Sequence, residues 1–352
     1  MSLTNTTSLT NTIKTYYDRV LLETLDPTLV FFQFGIKKPL PTGEGTSVIW
    51  NRPRRLALGY TLSEGAPVKL SAGNALSTLA VSAIISQYGS LTDWSDKVGL
   101  TSITDVGEMA AKQLGTQAGE TVERVIVNAI QNHVSASNAN GHHLFKTSTE
   151  LTDYWGMTST VSAGIMTVSA TNVIAVSDVR TARAKLKSLN VMPYEGNNYV
   201  AITSIEQSDD ILGDSTFISF TQYTTPAVER LFKGEIGSIY GVRFVESNLG
   251  PAKRGSNAGG TASTIAYGTV IFGEGFYGVT ELDGGIRTYL TAGASKSDPL
   301  NQTTVMGWKA NFTSKVLNTS AGLVLWTGSG DTTAAYAESA SSGLRQEDPS
   351  SY

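Results

Sequence analysis

The sequence predicts an α+β fold in which one long helix accompanies several groups of short strands, and three patterns predict it. Apolar residues recur at steps of three and four through residues 102–134, which is typical of an amphipathic helix. Short β-type runs separated by Gly and Pro fill residues 37–96. Residues 231–247, LFKGEIGSIYGVRFVES, give two further β-type runs joined through glycines, which predicts a tight reversal or a bulged hairpin.

The composition favours a large buried core and argues against several classes of protein. Of 352 residues, 40% are hydrophobic and 16% are charged, and this low charge together with 35 glycines indicates a surface largely covered by other subunits. A net charge of −4 gives no global basic footprint for tight nucleic-acid binding. The absence of cysteine excludes disulfides and thiolate metal sites and fits a reducing compartment. Because no signal-peptide core and no long apolar run is present, we expect a soluble protein that is not exported and contacts no membrane.

The N-terminal segment predicts an extended arm. Residues 1–12 are polar, and apolar residues then follow at helical spacing. The strip LVFFQFG, residues 29–35, comes next, and we expect Phe31, Phe32 and Phe34 to lie against a neighbouring subunit. The alternative is an ordinary N-terminal helix that docks on its own core.

Residues 41–96 predict a projecting β-hairpin. Two β-type runs, TSVIWN and STLAVSAIISQYGSLTDW, flank a long stretch interrupted by Gly and Pro, which fits an extended hairpin better than a globular core. Its arginines are expected to pair with carboxylates of an adjacent subunit or to form a solvated face, rather than to bind nucleic acid. The hairpin side chains that we expect to contact an adjacent subunit are Trp50, Arg52, Arg54, Arg55, Tyr60 and Leu62.

The helix predicted over residues 102–134 would run about 45 Å and would act as a backbone for other elements. Asp105 and Glu108 have the spacing of a capping box, which suits a helix N-terminus. Three internal glycines cost about 1 kcal/mol each relative to Ala. We therefore expect another element to pack closely against Gly107, Gly115 and Gly119.

The rest of the chain predicts further helices and strands. An amphipathic helix is predicted at 177–189 and a strand at 198–203, followed by a short acidic helix opened by Ser204. Strands follow in TIAYGTVIFGEGFYGVTEL, and the run TTVMGWKANFTSKVLNTSAGLVLWTG alternates as a long strand pair. Residues 135–170 predict an insertion or loop that holds a strand pair, and the Ser- and Ala-rich sequence from Ser329 predicts a frayed tail.

No pattern in the sequence supplies a catalytic or cofactor site. GEGFYG, residues 273–278, matches a dinucleotide-binding fingerprint, but a β- and turn-like segment follows where that motif requires a helix. His142 and His143 are adjacent and lack a partner at metal-binding spacing. Asp209 and Asp210 are explained more simply as helix caps or as a solvated face than as paired catalytic acids. We therefore expect no enzyme activity, no cofactor and no metal.

Four segments carry a family resemblance. LFKGEIGSIYGVRFVES is similar to the pattern F-x-G-E-I-G-x-I-x-G-V-x-F. The other three segments are YYDRVLLETLDPTLVFFQFGIKKPLP, LSEGAPVKLSAGNALSTLAVSAIISQYG and DPLNQTTVMGWKANFTSKVLN. Together they resemble the major capsid proteins of tailed bacteriophages, specifically the coliphage N-four type. The four matches are collinear and span most of the chain, and the sequence departs from the family mainly in residues 135–170 and in the tail.

The resemblance implies the HK97-type shell fold. In that fold, residues 1–40 resemble the N-terminal arm, and residues 41–96 resemble the E-loop, a hairpin that lies over the adjacent subunit. The remaining implied divisions are a peripheral domain at 97–170 with the spine helix 102–134, an axial domain at 171–289, peripheral return strands at 290–328 and a flexible tail at 329–352.

The resemblance also implies a function. A major capsid protein assembles as hexamers and pentamers into the icosahedral head that encloses the double-stranded DNA of a tailed phage, which it contacts non-specifically. The implied partners besides further copies of the chain are a separate scaffolding protein, a portal protein and, in some shells, a decoration protein. The implied location is the virion, after assembly in the bacterial host cytoplasm.

Two further hypotheses concern covalent crosslinking and an alternative function. Some shells of this fold crosslink a Lys to an Asn, but the N-four-type resemblance gives no reason to expect this of Lys69. The alternative function is that of another structural virion protein, such as a tail-tube subunit. The long helix and the arm argue against a tube.

Overall fold

The structure is a computed structural model that describes the chain in segments. The described residues are 20–21, 29–41, 43–54, 56, 75–133, 143–147, 150–153, 168, 171–194, 196–217, 237–254, 265–291, 299–300 and 302–329. Arg55, Tyr60, Leu62, Lys69 and His142 therefore lie outside the described residues.

The described segments contain helices and strands throughout. The helices are α1 (Val30–Phe34), α2 (Asp96–Thr101), α3 (Val106–Gln131), α4 (Val176–Ser188) and α5 (Ile205–Leu212). The strands are β1 (Ile36–Lys37), β2 (Ser47–Pro53), β3 (Thr78–Ile84), β4 (Ser86–Ser95), β5 (His143–Thr147), β6 (Glu150–Asp153), β7 (Tyr199–Thr203), β8 (Ser238–Ile239), β9 (Val242–Glu246), β10 (Ala252–Arg254), β11 (Ile265–Phe272), β12 (Tyr277–Thr291), β13 (Thr303–Val316) and β14 (Gly322–Thr327).

The strands form three sheets. A four-stranded sheet has the order β1-β12-β13-β4, in which β1 is parallel to β12 and the other neighbours are antiparallel. An eight-stranded sheet has the order β6-β5-β14-β11-β7-β9-β8, and β10 also pairs with β11. β2 and β3 form a separate antiparallel pair. Because β4 ends the order of the four-stranded sheet, its outer edge has no strand partner among the described residues.

The predicted long helix is present as α3, and it begins where its cap requires. Oδ1 of Asp105 accepts hydrogen bonds from the backbone N–H groups of Gly107, at 2.9 Å, and Glu108, at 3.3 Å. With 26 residues the helix is about 39 Å long. The predicted start at residue 102 is wrong, because Ile103 lies before the cap and its side chain is fully exposed.

α3 packs against both large sheets, which accounts for its length. In its first half, Ala111, Leu114 and Ala118 form a cluster with Met306 and Trp308 of β13. In its second half the helix enters the largest core cluster through Val122, Ile126, Val127 and Ile130. The three glycines that we predicted to be closely packed, Gly107, Gly115 and Gly119, are buried.

The eight-stranded sheet is covered on both faces, so its central strands are apolar on both sides. Alternate residues such as Ile202 and Trp326 face the cluster that contains α3 and α1. The residues between them, such as Ala201 and Leu325, join the cluster that contains Val179 of α4. A one-residue slip would exchange the residues of two apolar clusters without exposing them, so the packing of particular side chains within each cluster sets the register of the strands.

Two sequence predictions need correction at strand ends. The final run was predicted to form a strand pair, but β13 pairs with β12 and β4, whereas β14 pairs with β11 and β5. The chain passes from one sheet to the other between Val316 and Gly322. Residues 237–246 form the predicted tight hairpin of β8 and β9. Tyr240, predicted in a strand, lies in its turn with a φ of 49°, and Gly241 follows at 75°.

Candidate self-association surface

The β2–β3 hairpin projects as a two-stranded ribbon. Its seven residue pairs run from Ser47 opposite Ile84 to Pro53 opposite Thr78, and the N–H of Arg54 donates to the carbonyl of Ser77 at 2.9 Å. No described strand of the other two sheets pairs with either strand of the ribbon. In the described part of the chain, both long edges of the ribbon are therefore left without a strand partner.

The root of the hairpin, by contrast, is packed on the body of the subunit. Val48, Trp50 and Ala83 are buried in a cluster with Leu40, Ile85 and Leu317. The Trp50 indole lies so close to Gly278 that a Cβ added there would be 2.9 Å from the ring. The prediction that Trp50 meets another subunit is corrected here, because only 7% of its side chain remains exposed.

The apolar strip of the arm is also covered by its own core. Phe31 is fully buried in the largest core cluster, and Phe32 and Phe34 are half-buried beside it. The Phe32 ring lies 6.3 Å from Phe312, and the Phe34 ring lies 6.0 Å from Phe272. The alternative of docking on the chain's own core therefore holds for α1, and the prediction that Phe31 awaits a neighbour is wrong.

A buried carboxylate of α3 holds this strip in place. Oε2 of Glu123 accepts the N–H of Phe31 at 2.8 Å, and Oε1 accepts the N–H of Phe32 at 3.0 Å. The hydroxyl of Tyr277 donates to the carbonyl of Phe31 at 2.6 Å. Burial raises the pKa of Glu123 from 4.5 to about 7, and the two amides offset only part of that rise. The pKa of Tyr277 lies well above its usual range because the ring is buried and Glu123 is close.

The predicted arginines occupy the outer part of the hairpin. Arg52 is half-buried on β2, and Arg54 is exposed just beyond it. Arg55, Tyr60 and Leu62 fall outside the described residues, so their predicted contacts stay predictions.

Exposed apolar side chains on the hairpin were missed by the sequence reasoning. Leu76 is 88% exposed and Ile84 73% exposed, and Ile49, Leu56 and Leu79 are also exposed. The available signal was the run NALSTLAVSAII, in which almost every residue is small or apolar although the ribbon buries only one face. Leu56, Leu76 and Leu79 lie on the outer hairpin, whereas Ile49 and Ile84 lie near its root.

A second open surface lies along β4. This ten-residue edge strand contains no Lys, Arg or Pro, the residues that usually protect an edge from pairing with another strand. A groove of about 490 Å³ separates it from α3, and its lining includes Ser90 and Leu91 of β4 and Gln117 and Glu120 of α3. The free edge and the groove together can accept an extended segment.

The sequence motifs that were considered as cofactor or metal sites form a turn and hydrogen bonds within the fold. GEGFYG forms the reversal between β11 and β12, with Gly275 at a φ of 79°, and no helix follows it. His143 accepts through Nδ1 from the Trp326 indole N–H at 3.1 Å, and its Nε2 lies 3.0 Å from the carbonyl oxygen of His133. The described part of the chain contains no group of three or more His, Cys, Asp or Glu side chains that could hold a metal ion. None of its helices has the length and apolar character needed to cross a membrane.

Comparison with solved structures identifies the fold. The chain is similar to the capsid subunit of cyanophage Pam1, with a TM-score of 0.64 and 14% identity over 88% of this chain and 92% of that one. The capsid subunit of Ralstonia phage GP4 gives 0.61 and 13% over 87% and 93%. That of Helicobacter pylori bacteriophage KHP30, from an acidic stable capsid, gives 0.60 and 12% over 85% and 91%. No protein-family model and no curated protein matches the sequence. The likeness to solved structures confirms the predicted α+β, HK97-like fold.

Proposed function

Because the chain has the fold of phage capsid subunits, we propose that it is a major capsid protein that self-associates as hexamers and pentamers into the icosahedral head of a tailed phage. The main support is that the structural similarity spans nearly the whole of both chains, 88% of this one and 92% of the Pam1 capsid subunit. The four collinear sequence segments support the narrower assignment to the coliphage N-four type.

The outer hairpin is the surface that assembly would cover. Burying an exposed leucine stabilises a contact by about 2 kcal/mol, and Leu56 and Leu76 on the outer hairpin are both exposed in the single subunit. A hairpin that docks on the body of the next copy makes a heterologous contact, and such contacts close into rings when the rotation permits. The same modest contact is then repeated many times in a closed shell.

The inter-subunit contacts proposed here differ from those predicted in the arm. Phe31 and Trp50 are already covered by their own subunit, so they set the position of the arm root and the hairpin root. The outer hairpin, with Arg52, Arg54, Arg55, Tyr60 and Leu62, is the proposed contact, and its arginines would pair with carboxylates of the neighbour. Phe32 and Phe34, which are half-buried, contribute at most the exposed edges of their rings.

The two large sheets divide the subunit into two proposed domains. We assign the eight-stranded sheet with α4 and α5 to the axial domain, and the four-stranded sheet with α3 to the peripheral domain. This assignment departs from the division that the resemblance implies, because β5, β6 and β14 pass to the axial domain and β12 passes to the peripheral domain. The proposal extends to a separate scaffolding protein, a portal protein, a decoration protein and non-specific contact with packaged DNA, with no enzyme activity.

Electron microscopy of the purified full-length chain tests the proposed function. We expect pentameric and hexameric rings or closed shells as the concentration rises. Tubes would support the alternative of a tail-tube subunit. A chain that stays monomeric at every concentration up to its solubility would contradict self-association.

A further inference from the structure

The contact between Glu123 and α1 joins two parts of the subunit that lie 92 residues apart along the chain. Both carboxylate oxygens of Glu123 are occupied, each by a backbone N–H of α1, and the side chain is fully buried on α3. These two amides belong to the start of a five-residue helix, where the backbone has no intrahelical acceptor for them. Glu123 thus supplies the acceptors that α1 lacks.

The segment fastened in this way leads directly to the hairpin. After α1, the backbone passes Tyr277 and Val279 so closely that only glycine fits at residue 35. β1 then pairs in parallel with β12, and Leu40 joins the cluster around Trp50 at the hairpin root. The position of residues 29–40 therefore sets where the hairpin begins.

We propose that Glu123 is a proton-operated clip, which holds residues 29–37 on the body of the subunit firmly when its carboxyl is protonated and weakly when it is ionised. An ionised carboxylate at this site is removed from water and receives two neutral amide donors, and no cation of the described residues is among its hydrogen-bond partners. Protonation removes the buried charge and keeps one oxygen that accepts from an amide, although it weakens the hydrogen bond at the oxygen that takes up the proton. Releasing the segment returns the carboxylate to water.

The direction of the effect follows from the raised pKa. Glu123 has a pKa of about 7 in the docked state and 4.5 when solvated, so the docked state binds the proton more tightly. The stabilisation by protonation is complete below the lower value and is lost as the pH rises through the higher one. Between pH 5.5 and 8.5 this shift raises the equilibrium constant for release about 30-fold.

The groups around the clip do not reverse this direction. Tyr277 of β12 faces it and is neutral throughout the range, because burial keeps its pKa well above the usual value. Lys37 lies 4.4 Å from the Phe32 ring centroid, and its charge acts on Glu281.

Hydrogen exchange of the unassembled subunit, read by mass spectrometry, tests the clip. Protection of peptides from residues 29–37 is measured at pH 5.5 and 8.5 and corrected for the intrinsic exchange rate at each pH. We expect protection to fall about 30-fold in the wild-type protein. In Glu123→Gln, which carries no charge at any pH, we expect protection to stay constant.

A second acid on the same helix supplies the matched control. Glu108 is solvent-accessible and pairs with Lys112 at 2.7 Å, so Glu108→Gln should retain the wild-type pH dependence. Wild-type protection that does not change with pH would overturn the proposal, as would a pH dependence in Glu123→Gln equal to that of the wild type. If Glu123→Gln fails to fold, the pH dependence of protection in the wild type and in Glu108→Gln still tests the proposal.

Discussion

Replacing residues 55–76 by an Asn-Gly turn is expected to abolish assembly and leave the subunit folded. The change removes the exposed Leu56 and Leu76 and shortens the ribbon at the point where Arg54 and Ser77 still pair. Asn-Gly is the preferred two-residue connection between antiparallel strands, so the remaining ribbon can close. Loss of about 3 kcal/mol from each subunit contact raises its dissociation constant more than about 100-fold.

The hairpin root makes this experiment interpretable. Val48, Trp50 and Ala83 are untouched, and they are the residues that pack the ribbon on its own body. The thermal midpoint and the near-ultraviolet circular dichroism of the shortened chain should therefore match the wild type, while light scattering shows no particles. Particles that form at the wild-type concentration would show that the outer hairpin is not an assembly contact.

Lys146→Met is expected to destabilise the subunit by about 3 kcal/mol or more. Lys146 and Asp178 form an almost fully buried ion pair, in which Nζ donates to Oδ2 at 2.6 Å and also to the carbonyl of Val173 at 2.6 Å. Removing the ammonium leaves the Asp178 carboxylate buried, where it still accepts the N–H of Ala175 at 2.9 Å. Urea unfolding of the unassembled subunit, followed by tryptophan fluorescence, measures the loss.

Two companion variants separate the buried charge from the lost side chain. Lys112→Met removes an exposed ion pair on α3 and should cost at most about 1 kcal/mol. The double variant Lys146→Met with Asp178→Asn no longer buries an unpaired charge and should recover more than half of the loss. A Lys146→Met cost no larger than that of Lys112→Met would contradict this account of β5 and α4.

Periodic features of the sequence predicted the elements well. The steps of three and four gave α3 and α4, and the glycine joints gave the β8–β9 reversal. Each of these signals is local, since the residues that create the pattern also form the element. The start of α3 after Asp105 was less evident from the apolar spacing, because Ile103 continues that spacing although it lies outside the helix.

The same patterns could not predict which strands pair over long sequence distances, or which surface covers a given apolar strip. The apolar strip at Phe31 is equally suited to its own core and to a neighbour, and only the position of Glu123 and Tyr277 decides for the core. Glu123 itself sits among Val122, Ile126 and Val127, and a carboxylate in an apolar face was the available signal for it. β13 and β14 alternate as if paired, yet each finds other partners, because alternation records burial and not the identity of the neighbouring strand.

The central claim is that another copy of the chain covers the outer hairpin. Hydroxyl-radical footprinting of unassembled subunits and of purified particles tests it at Leu56 and Leu76, with the already buried Trp50 as the internal reference. We predict that the reactivity of both aliphatic side chains falls several-fold on assembly while that of Trp50 does not change. Equal reactivity of Leu56 and Leu76 in subunits and in particles would contradict the claim.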